Sequence, residues 1–188
     1  MNRRRFLFQS MPAAGALIAT PTAFAQREKP PVPPSAEQVK IALKQANQPM
    51  TKIEKLTLPD AEWRMRLNPA AYKVLRDEGT ERAFTSPLND EKRKGVFHCA
   101  GCDLPVYTSE MKFDSGTGWP SFFTTLPGVF EKKTDFKLIY PRTEYHCAKC
   151  GGHHGHVFND GPQPTGQRWC NNGAALVFKA DATPDKAG

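Results

Sequence analysis

Two cysteine pairs, CAGC at Cys99 and Cys102 and CAKC at Cys147 and Cys150, constrain the fold of this chain more than any other feature. Each puts two sulfurs on one tight turn and so offers both to a single tetrahedral ion; four thiolates complete a structural Zn2+ site. The 44 residues between Cys102 and Cys147 exceed the spacing of a simple zinc ribbon, so most of a sheet has to fold between the two turns. Each pair closes a strand-like run, GVFHC or TEYHC, and has a glycine beside it, Gly101 or Gly151. Two other uses of such pairs stay open at this point. One is two disulfides in an oxidising compartment; the other is a redox-active CxxC, although the βαβ pattern that a thioredoxin-like site needs is missing. A metal here would staple the two halves of a sheet, because its binding energy becomes folding energy.

From Gly95 onward the chain is a series of short runs rich in β-branched and aromatic residues: GVFHC, LPVYTS, FFTTL, GVFEKK, FKLIYP, TEYHC, HVFND, RWCNN and AALVFKA. Gly, Pro, Asn and Asp separate them, which predicts an antiparallel, mainly β domain. Before it, SAEQVKIALKQA (35–46) has helical spacing, and Pro59-Asp60 opens a helix through AEWRMRL. Asn68 as cap and Pro69 in the first turn start another, expected to run to Gly79. With 188 residues, 39% of them apolar, one packed domain is expected. It is placed at 59–182, behind a proline-rich linker and short helix at 26–58, with a flexible tail at 183–188.

Residues 1–25 read as an export signal. A basic start, a short apolar stretch and Ala23-Phe24-Ala25 before Gln26 fit signal-peptidase cleavage. The stretch contains Pro12 and Gly15 and is too short to span a bilayer. Arg3-Arg4-Arg5-Phe6-Leu7 resembles a twin-arginine signal, which predicts a periplasmic protein exported already folded, without stable membrane association. The formal charge of +7 falls to +4 without Arg3, Arg4 and Arg5, and the remaining charges are interspersed. No basic patch of the kind that binds nucleic acid is present.

If four sulfurs fill a metal site, Cys170 is left over. Side chains alternate along a strand, so in QRWCNN Arg168, Cys170 and Asn172 share one face and Trp169 and Asn171 the other. A cationic neighbour favours the thiolate, the reactive form, and an asparagine on the same face can hold a partner group or a water. The alternative is an inert buried cysteine. HHGH supplies His153 and His156, imidazoles suited to proton delivery, while His154, His98 and His146 are expected to face solvent. SGTGWPSFF displays Trp119 but lacks the Lys-Ser/Thr of a phosphate loop.

Taken together, GTERAF (79–84), GVFHCAGCDLPVYTSEMKFDSGTGWPSF (95–122), RTEYHCAKCGGHHGHVFNDGPQPTG (142–166) and RWCNNGAALVF (168–178) resemble the type B methionine sulfoxide reductases. The resemblance implies two antiparallel sheets of the β-tent type, one structural Zn2+ on Cys99, Cys102, Cys147 and Cys150, and reduction of the R epimer of methionine sulfoxide in oxidised proteins. It implies Cys170 as nucleophile, His153, His156 and Asn172 as its catalytic company, and Trp119 and Arg168 at the substrate. The chain departs from the family pattern at Trp169 (usually tyrosine), Asn171 (isoleucine), Gly173 (serine) and His154 (leucine). Many members also carry a resolving cysteine where this chain has Thr117, which points to an external, thioredoxin-like thiol as reductant. Two readings from other classes compete: a zinc-knuckle binding module without catalysis, and a Cys-His-Asn hydrolase.

Overall fold

The structure is a computed structural model that describes residues 30–49, 52–136 and 141–182. The export signal expected at 1–25, the start of the linker, the centre of the FKLIYP run and the tail at 183–188 lie outside the described residues.

Helix α1 (Ala36–Ala46) begins in a capping box, with Ser35 accepting from the Gln38 N–H and the Gln38 side chain accepting from the Ser35 N–H. Its buried Ala42 and the Gln45 side chain, which accepts from Thr108 Oγ1 at 2.7 Å, seat it on the β domain. The proline-rich segment before it is anchored too, because the Val32 N–H donates to the Asp114 carbonyl at 2.7 Å. Helices α2 (Asp60–Arg66) and α3 (Pro69–Leu75) follow, the second capped by Asn68 as expected. It stops four residues short of Gly79. Glu78 takes the left-handed turn at φ 52°, and the Gly79 N–H closes back on the Lys73 carbonyl at 2.9 Å.

Among the described residues nine short strands form two antiparallel sheets. The smaller has the order β2–β1–β9, from β1 (Gly95–Cys99), β2 (Pro105–Thr108) and β9 (Leu176–Ala180). The larger runs β3–β4–β8–β7–β6–β5, from β3 (Lys112–Phe113), β4 (Ser121–Phe122), β5 (Phe130–Asp135), β6 (Arg142–Cys147), β7 (His153–Phe158) and β8 (Arg168–Asn171). Aromatic rings fill the space between the sheets. Tyr107 stacks on Phe122 at 3.8 Å, Phe97 meets Phe122 edge-on at 5.1 Å, and Phe130 packs on Tyr145 at 4.8 Å. Phe97 and Phe122 are fully buried, each contributing roughly 1.5–3 kcal/mol. The expected mainly β architecture with a short helical layer is what forms. Among the described residues no helix is long and apolar enough to cross a membrane.

Candidate active site

The cysteine pairs come together where the sheets meet: Cys99 ends β1 in the small sheet and Cys147 ends β6 in the large one. The Cys99 and Cys150 sulfurs are 3.6 Å apart, Cys102 and Cys147 are 3.5 Å apart, and all four lie within 4.8 Å of one another. A disulfide needs about 2.05 Å. Four thiolates around one tetrahedral ion with bonds of about 2.3 Å stand roughly 3.8 Å apart. The four can therefore hold a metal ion, and the spacing fits one ion in place of two disulfides. Helix α3 lies against the knuckles, with Leu75 packed by Gly101 and Gly152 and the Arg76 guanidinium donating to the Cys150 carbonyl at 2.9 Å.

Cys170 stands apart from that cluster, in the middle of β8. Strand register sets its neighbours: Ser121 of β4 lies opposite on one side and His156 of β7 on the other, then Glu144 of β6 and Lys133 of β5. Directly opposed residues project from the same face, so these five form one row across the large sheet. The strands can come this close at Gly155, where a Cβ would sit 2.0 Å from the Cys170 carbonyl oxygen. Cys170 opens on a cleft of about 130 Å³ that Trp119, Arg142, His156, Phe158 and Asn172 also line.

Carboxylates hold both histidines. His156 Nε2 lies 2.8 Å from Asp135 Oδ2, which also accepts from Arg142 at 2.7 Å. An acidic partner requires that nitrogen to carry the proton, which leaves Nδ1 the acceptor in the neutral ring. Burial holds His156 below the ordinary histidine range despite Asp135, favouring that neutral form. Buried His153 pairs through Nδ1 with Glu144 Oε1 at 2.7 Å, and its ring meets His156 edge-on with centroids 5.6 Å apart.

Charge and burial compete at Cys170. Burial pushes its thiol up to about 11; the Arg168 charge pulls the other way and loses. The direction expected of Arg168 stands, but burial sets the balance. Arg168 forms a bidentate pair with Asp160, at 2.9 and 2.8 Å, and lies over the Phe158 ring, so much of its field is spent on that carboxylate. Asn172 is likewise occupied: its oxygen accepts from the Glu81 N–H at 3.0 Å and its nitrogen donates to the His154 carbonyl at 2.9 Å. Glu81 binds the loop around 79–82 to the site. Its carbonyl accepts from Trp119 Nε1 at 3.1 Å, and its carboxylate accepts from the Gly173 and Ala174 N–H groups. Gly173 is required there, since a Cβ would meet Ser86 Oγ at 1.9 Å.

His154 does not face solvent. Tyr145 pairs with Gly155 and His146 with His153, so His154 is the extra residue of a bulge and turns into the core. Its Nδ1 lies 3.1 Å from Asn171 Oδ1, which also accepts from the Tyr145 and Tyr107 hydroxyls at 2.9 and 3.3 Å. Two of the departures from the family pattern, His154 and Asn171, are therefore hydrogen-bonded to each other. His98 and His146 are only partly exposed and face Asp103 and Glu131. Burial lowers His154 to about 4. The unfolded ring takes a proton near pH 6.5 while the folded one resists, so native stability falls as pH drops from about 6.5 to 4. The loss is on the order of 3 kcal/mol. Denaturant melts across that range are expected to show this acid limb, and His154→Leu to flatten it.

The structure thus brings Cys170, His156, Asn172 and Trp119 to one cleft, sets His153 against His156, and leaves Arg168 locked to Asp160. Sequence reasoning passed over Glu144, Asp135 and Glu81, because their roles depend on which strands and loops lie side by side.

The SelR domain family matches residues 67–180. The chain is 49% identical over 126 residues to "Peptide methionine sulfoxide reductase MsrB" of Agrobacterium fabrum, covering 66% of this chain and 93% of that protein. A protein of the same name from Pseudomonas putida is 50% identical over 133 residues, covering 69% and 96%. One from Leptospira interrogans is 47% identical over 123 residues, covering 65% and 94%. A spare cysteine facing a histidine-lined cleft, a separate four-cysteine cradle and these likenesses agree, and the chain belongs to the MsrB family of oxidoreductases, the peptide-methionine (R)-S-oxide reductases.

Proposed function

We propose that this reductase acts on methionine (R)-sulfoxide in oxidised proteins through a sulfenic acid on Cys170, and that an external thiol regenerates it. One observation carries the reading: of five cysteines, only Cys170 lies outside the metal cradle, and it faces the cleft beside His156. The Trp119 ring takes the substrate's S-methyl group, through shape and a soft contact with sulfur. The sulfoxide oxygen lies on the His156 and Asn172 side. Because the thiol is protonated at rest, its proton has to move to the sulfoxide oxygen as the reaction begins, with neutral His156 as acceptor and donor on the way. The Cys170 sulfur attacks the sulfoxide sulfur, and oxygen ends on Cys170. Cys–SH plus sulfoxide gives Cys–SOH plus thioether, a two-electron oxidation of the cysteine. His153, held by Glu144, orients His156, and Arg168 tempers the negative charge on Cys170. Two external thiols then return Cys–SOH to Cys–SH, leaving as a disulfide and water.

The cradle fits Zn2+, the ion suited to four thiolates, and the role proposed for it is structural. Cys99, Cys102, Cys147 and Cys150 would hold it and join the two sheets; no chemical step passes through it. The same reading puts the protein in the periplasm, with a thioredoxin-like protein as reductant.

A dithiothreitol-driven assay on the separated epimers of a methionine sulfoxide peptide is expected to consume only the R form. One equivalent of that peptide without reductant is expected to remove one free thiol and leave a dimedone-reactive Cys170. An intramolecular disulfide formed with the metal still bound would refute the external-thiol step.

A further inference from the structure

Glu81 stands in the irregular segment that follows α3, yet its hydrogen bonds reach two walls of the cleft on which Cys170 opens. Its N–H donates to Asn172 Oδ1 at 3.0 Å, and its carbonyl accepts from Trp119 Nε1 at 3.1 Å. Its carboxylate accepts from the Gly173 N–H and, at 3.0 Å, from the Ala174 N–H. Asn172, Gly173 and Ala174 follow Cys170 almost directly at the end of β8, whereas Trp119 comes just before β4. One residue thus joins the chain beyond the cysteine to the ring that lines the same cleft.

The N–H and carbonyl of a single residue are a fixed distance apart, so this bridge sets the separation of the groups it holds. It can do so only if its own place is fixed. The segment is tied at its two ends, where the Gly79 N–H meets the Lys73 carbonyl at 2.9 Å and the Phe84 N–H meets the Gly118 carbonyl at 2.7 Å. Between those ties the Glu81 carboxylate is the strong attachment, because hydrogen bonds to a charged acceptor are roughly twice as strong as neutral ones. Trp119 needs such help. Its loop turns at Gly116 and Gly118, with φ 74° and 89°, and the bonds that Phe84 and Asn89 make to the Gly118 carbonyl hold only the backbone. The bond from Nε1 to Glu81 is what holds the ring.

Resting on the reading of Trp119 as the wall that takes the substrate's methyl group, we propose that Glu81 sets the width of the methyl pocket and so confines the reaction to S-methyl sulfoxides. Its carboxylate fixes the segment to the chain beyond Cys170, and its carbonyl passes that position on to the Trp119 ring. Glu81 is a positioning residue, acting through Trp119 and touching no reacting atom.

Glu81→Gln tests this, since it keeps the length of the side chain but turns one of two acceptors into an NH2 group facing a backbone N–H. Parent and variant, full-length and metal-loaded, are compared on two peptides that differ only in carrying methionine (R)-sulfoxide or ethionine (R)-sulfoxide. The parent is expected to prefer the methyl compound by at least about tenfold in kcat/KM, and Glu81→Gln to lose most of that preference. A ratio taken on one preparation cancels any unfolded fraction, and a purely structural Glu81 would lower both rates together and leave the ratio alone. Glu81→Asp keeps the charge on a shorter arm and is expected to fall between the two; it supplies the ratio if Glu81→Gln turns over too slowly to measure. A second readout needs no sulfoxide: solvent exchange of the Trp119 indole N–H, followed by NMR and identified by its loss in Trp119→Phe. Exchange is expected to be about tenfold faster in Glu81→Gln. A parent without methyl preference, an unchanged ratio in the variants, or unchanged exchange overturns the proposal. Absence of reductase activity in the parent would refute the proposed function instead, and the exchange rates would still decide whether the carboxylate holds the ring.

Discussion

Replacing Cys170 by serine is expected to abolish sulfoxide reduction, by at least about 10³-fold in kcat, while metal content and melting temperature stay at parent values. The change swaps one atom in a half-buried position on β8 whose backbone pairs with β4 and β7 through other atoms. Packing is therefore almost untouched. A serine hydroxyl neither ionises in this range nor takes up oxygen as a sulfenic acid, so the reaction loses both its nucleophile and its oxygen acceptor. A binding module would be indifferent to the change. A Cys-His-Asn hydrolase would lose ester or amide cleavage, which the parent protein is not expected to show. Retained turnover in the serine variant, with the metal bound, would remove the basis of the mechanism.

Cys150→Ser is expected to do the reverse and fail as a fold. Its sulfur lies 3.6 Å from that of Cys99, which ends β1 of the small sheet, while Cys150 sits on the turn that follows β6 of the large one. Four-thiolate zinc binding supplies on the order of 10 kcal/mol at neutral pH, comparable with the whole stability of a typical domain at roughly 5–15 kcal/mol. The variant is expected to purify without metal and to melt tens of degrees lower, and a strong chelator is expected to do the same to the parent protein. Equal melting curves for chelated and loaded protein would show that the cradle does not hold the sheets together.

The parts of this protein that the sequence discloses are the local ones. CAGC and CAKC place their sulfurs within four residues each, so the metal cradle is legible before any fold is known, and Cys170 stands out by subtraction. The caps of α1 and α3 are equally local. What depends on partners distant in sequence stays hidden. Glu144 and Asp135 become histidine partners only once β5, β6 and β7 are aligned. His154 misleads because strict alternation points it outward, and one bulge reverses that. Arg168 gives only one side of an energetic balance: a neighbouring cation is easy to see in a string of letters, but burial of the thiol and the competing Asp160 are not. Here burial outweighs charge.

The alignment of Ser121, Cys170, His156, Glu144 and Lys133 across five strands makes turnover a gauge of correct strand pairing. A slip of one position would put Trp169 or Asn171 in the place of Cys170 in that row, and reactivity would vanish with it. The sulfur cradle joins β1 to β6 and does not involve β8, so a molecule could carry its full complement of ion and still be inert. Metal analysis of a preparation therefore cannot stand in for a count of working molecules; titration with one equivalent of oxidised substrate can.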